Sequence, residues 1–105
     1  MEYVSFALRI KPEDREAYRE RHRRVDPELE NKFSVVGIRR YHIFEHEGTL
    51  FAYMEVEDFD RAMSQLATDP ANLRWQQYMS DMLIAWEDGS TVKPIEEMYR
   101  FQSSS

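Results

Sequence analysis

Tyr18 and His22 stand four residues apart in the stretch "REAYRERHRRVDPEL", residues 15 to 29. On a helix that spacing puts both side chains on one face, a turn apart, where they can point at one small ligand. Histidine is the side chain best poised to give or take a proton near neutral pH. A nearby phenol can donate or accept a hydrogen bond that orients either the imidazole or a hydroxylated substrate. Tyr41, read as lying on a central strand that faces a helix, can converge on the same cavity, and Trp75 offers a flat apolar surface of the kind on which sugar rings stack. A Tyr, His, Tyr, Trp set with no thiol and no serine triad suits proton transfer on a neutral polyol better than hydrolysis. The plainer alternative leaves Tyr18 and His22 on the wet face of a charged helix. "KPEDREAYRERHRR" has Glu and Arg at helical pairing distances, which assigns Arg19, Glu20, Arg23 and Arg24 to solvent.

Other chemistries have little to build on. His42 and His46 are four apart, but along a strand at ~3.3 Å per residue they lie roughly 13 Å from each other, too far to share an ion bound at ~2.1 Å. No metal site is expected. With three glycines and no Gly-rich phosphate loop, a nucleotide cofactor is not expected either. The absence of cysteine removes disulfides, a thiolate nucleophile and zinc-thiolate ligation. A net charge of −6 and a pI near 5.0 would repel a phosphate backbone, so nucleic acid is not an expected partner. No apolar run approaches the ~20 residues of a membrane span, and "MEYVSFALRIKPED" lacks the features of a signal peptide. The expectation is a cytoplasmic protein that does not touch the membrane.

The elements that must hold these residues follow from periodicity and punctuation. Residues 3 to 10 alternate, with Val4, Phe6, Leu8 and Ile10 on one side, and read as a half-buried strand. Pro12 and the acids after it start a helix that runs towards Gly37, with a break expected near Arg24 to Asp26 because Pro27 removes a hydrogen bond and crowds the preceding turn. "IRRYHIFEH" and "TLFAYMEVE" read as two strands joined by a hairpin about Gly48. A short helix is predicted from Asp58 to Ala67. Another starts at Asp69 and Pro70 and carries Trp75, Met79 and Met82 on one face, with "IEEMYRFQ" as a fourth strand.

This order is α+β: a ferredoxin-like split βαβ, an antiparallel sheet with helices on one face. A chain of 105 residues suits one domain, placed at residues 1 to 101, with a disordered tail over 102 to 105. The uncovered sheet face predicts a homodimer formed sheet to sheet, a dimeric barrel-like assembly.

Several separated motifs carry a resemblance. Tyr18 and His22 followed by Pro27-Glu28-Leu29, Gly37 followed by Tyr41, and "ATDPANLRWQQYM" at 67 to 79 together resemble the L-rhamnose mutarotase family, from the first strand to the "IEEMYRF" tail. The resemblance implies a dimeric ferredoxin-like enzyme that interconverts the α and β anomers of L-rhamnose without a cofactor. It implies His22 as catalytic proton donor and Tyr18, Tyr41, Trp75 and Gln76 as sugar-binding residues. Two positions depart from the pattern: many members carry tryptophan where this chain has Asp26, and some carry a second tryptophan where it has Gln76. The competing readings are a ferredoxin-like cofactor-free monooxygenase or haem-degrading enzyme, and a non-catalytic sugar-binding module.

Overall fold

The computed structural model describes residues 1–103. Four strands, β1 (Glu2–Arg9), β2 (Ile38–His46), β3 (Thr49–Val56) and β4 (Lys93–Ile95), form one antiparallel sheet in the order β2-β3-β1-β4. The helices are α1 (Arg15–Arg21), α2 (Pro27–Val35), α3 (Phe59–Leu66) and α4 (Pro70–Met79). Single 3-10 turns, Pro12–Asp14 and His22–Arg24, flank α1.

Local chemistry sets the boundaries. Pro27 and Pro70 each occupy a first helical turn, and the side chains of Asp26, Asp58 and Asp69 accept N–H bonds from Glu28, Arg61 and Asn72, which caps α2, α3 and α4. Gly37 takes a left-handed φ of 96° just past α2. The β2–β3 hairpin turns on Glu47 and Gly48 with φ of 49° and 89°, the two-residue turn whose twist matches its strands. A Cβ at Gly48 would meet the Ile10 carbonyl oxygen at 2.6 Å, so that turn needs glycine for closeness as well as for φ.

Alternation sends one set of sheet side chains towards the helices. Val36, Ile38, Met54, Val56, Ala62 and Leu66 make one cluster, while Ile10, Leu50, Met79 and Met82 make another against which Tyr18, Ile43 and Trp75 pack. Both clusters border one cavity between sheet and helices, the first through Met54 and Leu66 and the second through Leu50 and Met79.

Three details differ from the sequence reading. The strand that carries Tyr41, β2, is at the sheet edge rather than its centre, although Tyr41 still faces the helices. Helix α4 ends at Met79, and Met82 reaches the same core from the turn beyond it. The fourth strand is Lys93–Ile95 rather than "IEEMYRFQ": it pairs only with Ser5–Ala7 of β1, and past Ile95 the chain leaves the sheet. Met98, Tyr99 and Phe101 are exposed. The tail is held instead by Arg100 stacked 4.2 Å over the Tyr3 ring and by a Gln102 amide that donates to the Tyr3 hydroxyl. Of the tail expected to be disordered, residues 104 and 105 lie outside the described residues.

Candidate active site

His22 sits where α1 gives way to the 3-10 turn. Helix α1 cannot continue: Val25 is extended, and Asp26 before Pro27 is driven out of the helical region by the proline ring. At this terminus the backbone N–H of His22 donates to the Tyr18 carbonyl, and His22 Nδ1 lies 2.9 Å from the same oxygen. A carbonyl only accepts, so Nδ1 carries the hydrogen in the bonded form and Nε2 is the nitrogen left for substrate.

Aromatic rings fix the imidazole from two sides. The Tyr18 ring lies 4.3 Å from it at 30°, and Trp75 of α4 meets it edge-on at 5.1 Å. Across the cavity, Tyr41 of β2 is seated between Phe33 at 5.8 Å and Phe6 at 6.2 Å. The cavity has a volume of about 1100 Å³, and Tyr18, His22, Tyr41, Trp75 and Gln76 all line it. All five residues singled out in the sequence therefore share one space.

Electrostatics divides their roles. Tyr41 as a residue is 37% exposed, but its hydroxyl lies within the cavity walls, where desolvation pushes it up to about 12. Burial, reinforced by the neighbouring Tyr41, raises Tyr18 further still. A phenol whose anion is disfavoured stays protonated at neutral pH, so both tyrosines serve as hydrogen-bonding groups rather than as anionic bases. Of the set, the imidazole is the side-chain type able to exchange a proton near neutral pH, and Gln76, exposed within the cavity, offers an amide that can bond hydroxyls both ways.

The other histidines are elsewhere. His42 is on the opposite sheet face between Phe44 at 6.2 Å and Tyr53 at 6.3 Å, and His46 lies beside Glu47 at the hairpin. Asp26 does not line the large cavity. Its carboxylate caps α2 through Glu28 N–H at 2.9 Å and accepts from Arg74 at 3.4 Å, beside a smaller open cleft on the far side of Trp75. Sequence reasoning missed Arg15 and Glu45, which meet at 2.9 Å and also line the cavity. The signal was present: Arg15, Tyr18 and His22 share a helix face, and Tyr41, Ile43 and Glu45 share a strand face.

The fold and site define a ferredoxin-like α+β protein whose helix-covered cavity presents one imidazole, protonated phenols and an indole to a small polar ligand. The chain belongs to the L-rhamnose mutarotase family, whose sequence profile matches residues 3–101. It is 38% identical over 102 residues to the L-rhamnose mutarotase of Burkholderia ambifaria strain MC40-6, covering 94% of this chain and 97% of that one. The crystal structure of L-rhamnose mutarotase FA22100 from Formosa agariphila superposes with a TM-score of 0.83 at 28% identity, covering 97% of this chain and all of the other. Tetracenomycin F2 cyclase from Streptomyces glaucescens also superposes, with a TM-score of 0.64 over 98% of this chain and 99% of the cyclase. At 20% identity, that likeness concerns the fold alone. The family match disfavours the monooxygenase, haem-degrading and binding-module readings.

Proposed function

We propose that this chain interconverts the α and β anomers of L-rhamnose, with His22 as the proton donor and Tyr18, Tyr41, Trp75 and Gln76 as the sugar-binding residues. The observation that carries the reading is the anchored imidazole, tied through Nδ1 to the Tyr18 carbonyl and set between a phenol and an indole in a cavity lined by a second phenol. Anomer exchange removes the proton of the anomeric hydroxyl, protonates the ring oxygen, lets the free aldehyde rotate and closes the ring on the other face. With Nδ1–H held by the Tyr18 carbonyl, His22 acts in its doubly protonated form and gives its Nε2 proton to the ring oxygen, while a water hydrogen-bonded by a phenol takes the anomeric hydroxyl proton. On closure the C5 hydroxyl returns a proton to Nε2 and the aldehyde oxygen regains one from the water, so both groups end as they began. Trp75 packs on the apolar side of the 6-deoxy sugar. The uncatalysed reaction is already measurable in water, so the ~10²–10⁴-fold of a positioned acid–base pair suffices, with no covalent intermediate.

The reading extends to a single domain over residues 1–101 and a cytoplasmic homodimer joined through the outer sheet face. A cysteine-free chain needs no oxidising compartment to fold. Phe44 and Phe51, cross-strand neighbours on that face, are 62% and 42% exposed in the single chain, an apolar pair that a second sheet would cover. Magnetisation-transfer NMR on the anomeric protons tests the activity across L-rhamnose, L-fucose, L-lyxose and D-glucose. Acceleration with L-rhamnose is the expected result, and rates equal to buffer with all four sugars would refute it.

A further inference from the structure

We propose that the cavity holds a second sugar ring beside the one that reacts, so that the enzyme accepts saccharides carrying L-rhamnose at their reducing end. This rests on the mutarotase reading above. Helix α1 and strand β2 run in opposite directions along the cavity. Arg15 meets Glu45 at one end, and further along Tyr18 lies near Tyr41, with His22 one turn beyond and lining the same cavity. From Tyr41 to Glu45 is four strand residues, roughly 13 Å, and from Arg15 to His22 is seven helical residues, roughly 10 Å. The cavity, about 1100 Å³ in all, is larger than one pyranose needs; it runs from Tyr18, His22 and Tyr41 to Phe59 and Met63 as well as to Arg15 and Glu45, and the second ring belongs with the charged pair because that pair supplies the hydrogen-bonding groups.

The chemistry at that end suits a sugar. The Glu45 carboxylate, 17% exposed, is fixed by two bonds, accepting from Arg15 Nε at 2.9 Å and from the Gly48 backbone N–H at 2.9 Å. Each of its oxygens keeps a lone pair, and the Arg15 guanidinium keeps further N–H groups, so the pair can accept from and donate to neighbouring hydroxyls. Arg15 is 55% exposed, which places the pair where the cavity opens to solvent and a longer chain can leave. Ile43, between Tyr41 and Glu45 on the same strand face, supplies apolar surface for the C–H side of a ring. In L-rhamnose the O4 oxygen lies across the ring from the anomeric carbon. With that carbon at His22, an O4-linked ring extends away from the imidazole along this strip.

An ion pair that merely tied α1 to the end of β2 would affect both substrates alike, so the ratio between them is the readout. Anomer exchange is measured by magnetisation transfer for L-rhamnose and for an O4-linked β-D-glucosyl-L-rhamnose, in the wild type, Arg15→Gln and Glu45→Gln. The wild type should turn over the disaccharide with kcat/KM at least equal to that for L-rhamnose. Each folded variant should lower the disaccharide-to-rhamnose ratio about tenfold through KM, the scale of a lost charged hydrogen bond. Glu45→Gln keeps an amide oxygen for the Gly48 N–H, so it serves if Arg15→Gln does not fold, and the wild-type comparison stands without either. Exchange of L-rhamnose but not of the disaccharide overturns the inference alone, as does an equal effect of the variants on both sugars. Exchange of neither sugar overturns the mutarotase reading, and the second ring with it.

Discussion

His22 Nδ1 lies 2.9 Å from the carbonyl oxygen of Tyr18, the oxygen that also accepts the His22 backbone N–H. The last turn of α1 thus sets both the position of the imidazole and which nitrogen is free. His22→Ala removes the proposed proton donor from a partly exposed site outside both buried clusters, so exchange should fall by ~10²–10⁴ with little change in melting temperature. A folded His22→Ala protein with wild-type exchange rates would assign the cavity to binding alone.

The tyrosines make a prediction about alkaline pH. Tyr41 ionises near 10.0 when unfolded and at about 12 in the fold, so between those values the native state holds more protons than the unfolded state. Stability therefore declines as pH rises through that window, and the Tyr41 contribution is fully present below pH 10. Tyr18, raised in the same direction, adds to the slope. Tyr41→Phe should flatten the dependence of the urea midpoint on pH above 10. A mutant slope equal to wild type would mean that Tyr41 ionises in the fold as it does in water.

Much of this was legible because the signals are local. Alternation marked β1, β-rich runs about Gly48 marked β2 and β3, Asp–Pro pairs marked the starts of α2 and α4, and the four-residue spacing of Tyr18 and His22 survived because one helical turn is enough to juxtapose them. Strand order is not local, so the edge position of β2 could not be read from its own residues. Nor could the meeting of Arg15 with Glu45, since an arginine on a charged helix looks solvated until the strand opposite is known. The tail misled for a related reason. "IEEMYRFQ" carries the strand-favouring Ile95, Tyr99 and Phe101, but composition does not say that this chain's own sheet pairs with them, and Met98, Tyr99 and Phe101 are exposed.

That exposed surface bears on assembly. Phe44 and Phe51 face each other across β2 and β3 on the side without helices, and His42 stacks on Phe44. Sedimentation at micromolar concentration should give near twice 12.7 kDa, and Phe51→Glu, which puts a charge into the covered patch, should shift the protein to monomer. A wild-type monomer under those conditions would remove the sheet-to-sheet dimer.

Asp26 is one of the two positions at which the sequence departs from the family pattern it resembles, and its surroundings decide what it does here. One carboxylate oxygen accepts the Glu28 N–H as the cap of α2, and the other accepts from the exposed Arg74, a contact that solvent screens. Asp26→Trp removes the cap and should cost about 0.5–2 kcal/mol, a fall of several degrees in Tm for a domain of this size. Asp26→Asn keeps a capping oxygen and should recover most of it. The carboxylate lines the cleft behind Trp75 rather than the cavity that holds His22 and Tyr41, so neither substitution should alter the ratio of L-rhamnose to L-fucose exchange. Melting curves and the two exchange rates, taken on both mutants, separate the roles. A changed ratio with an unchanged Tm would put position 26 against the sugar and make it a specificity residue rather than a cap.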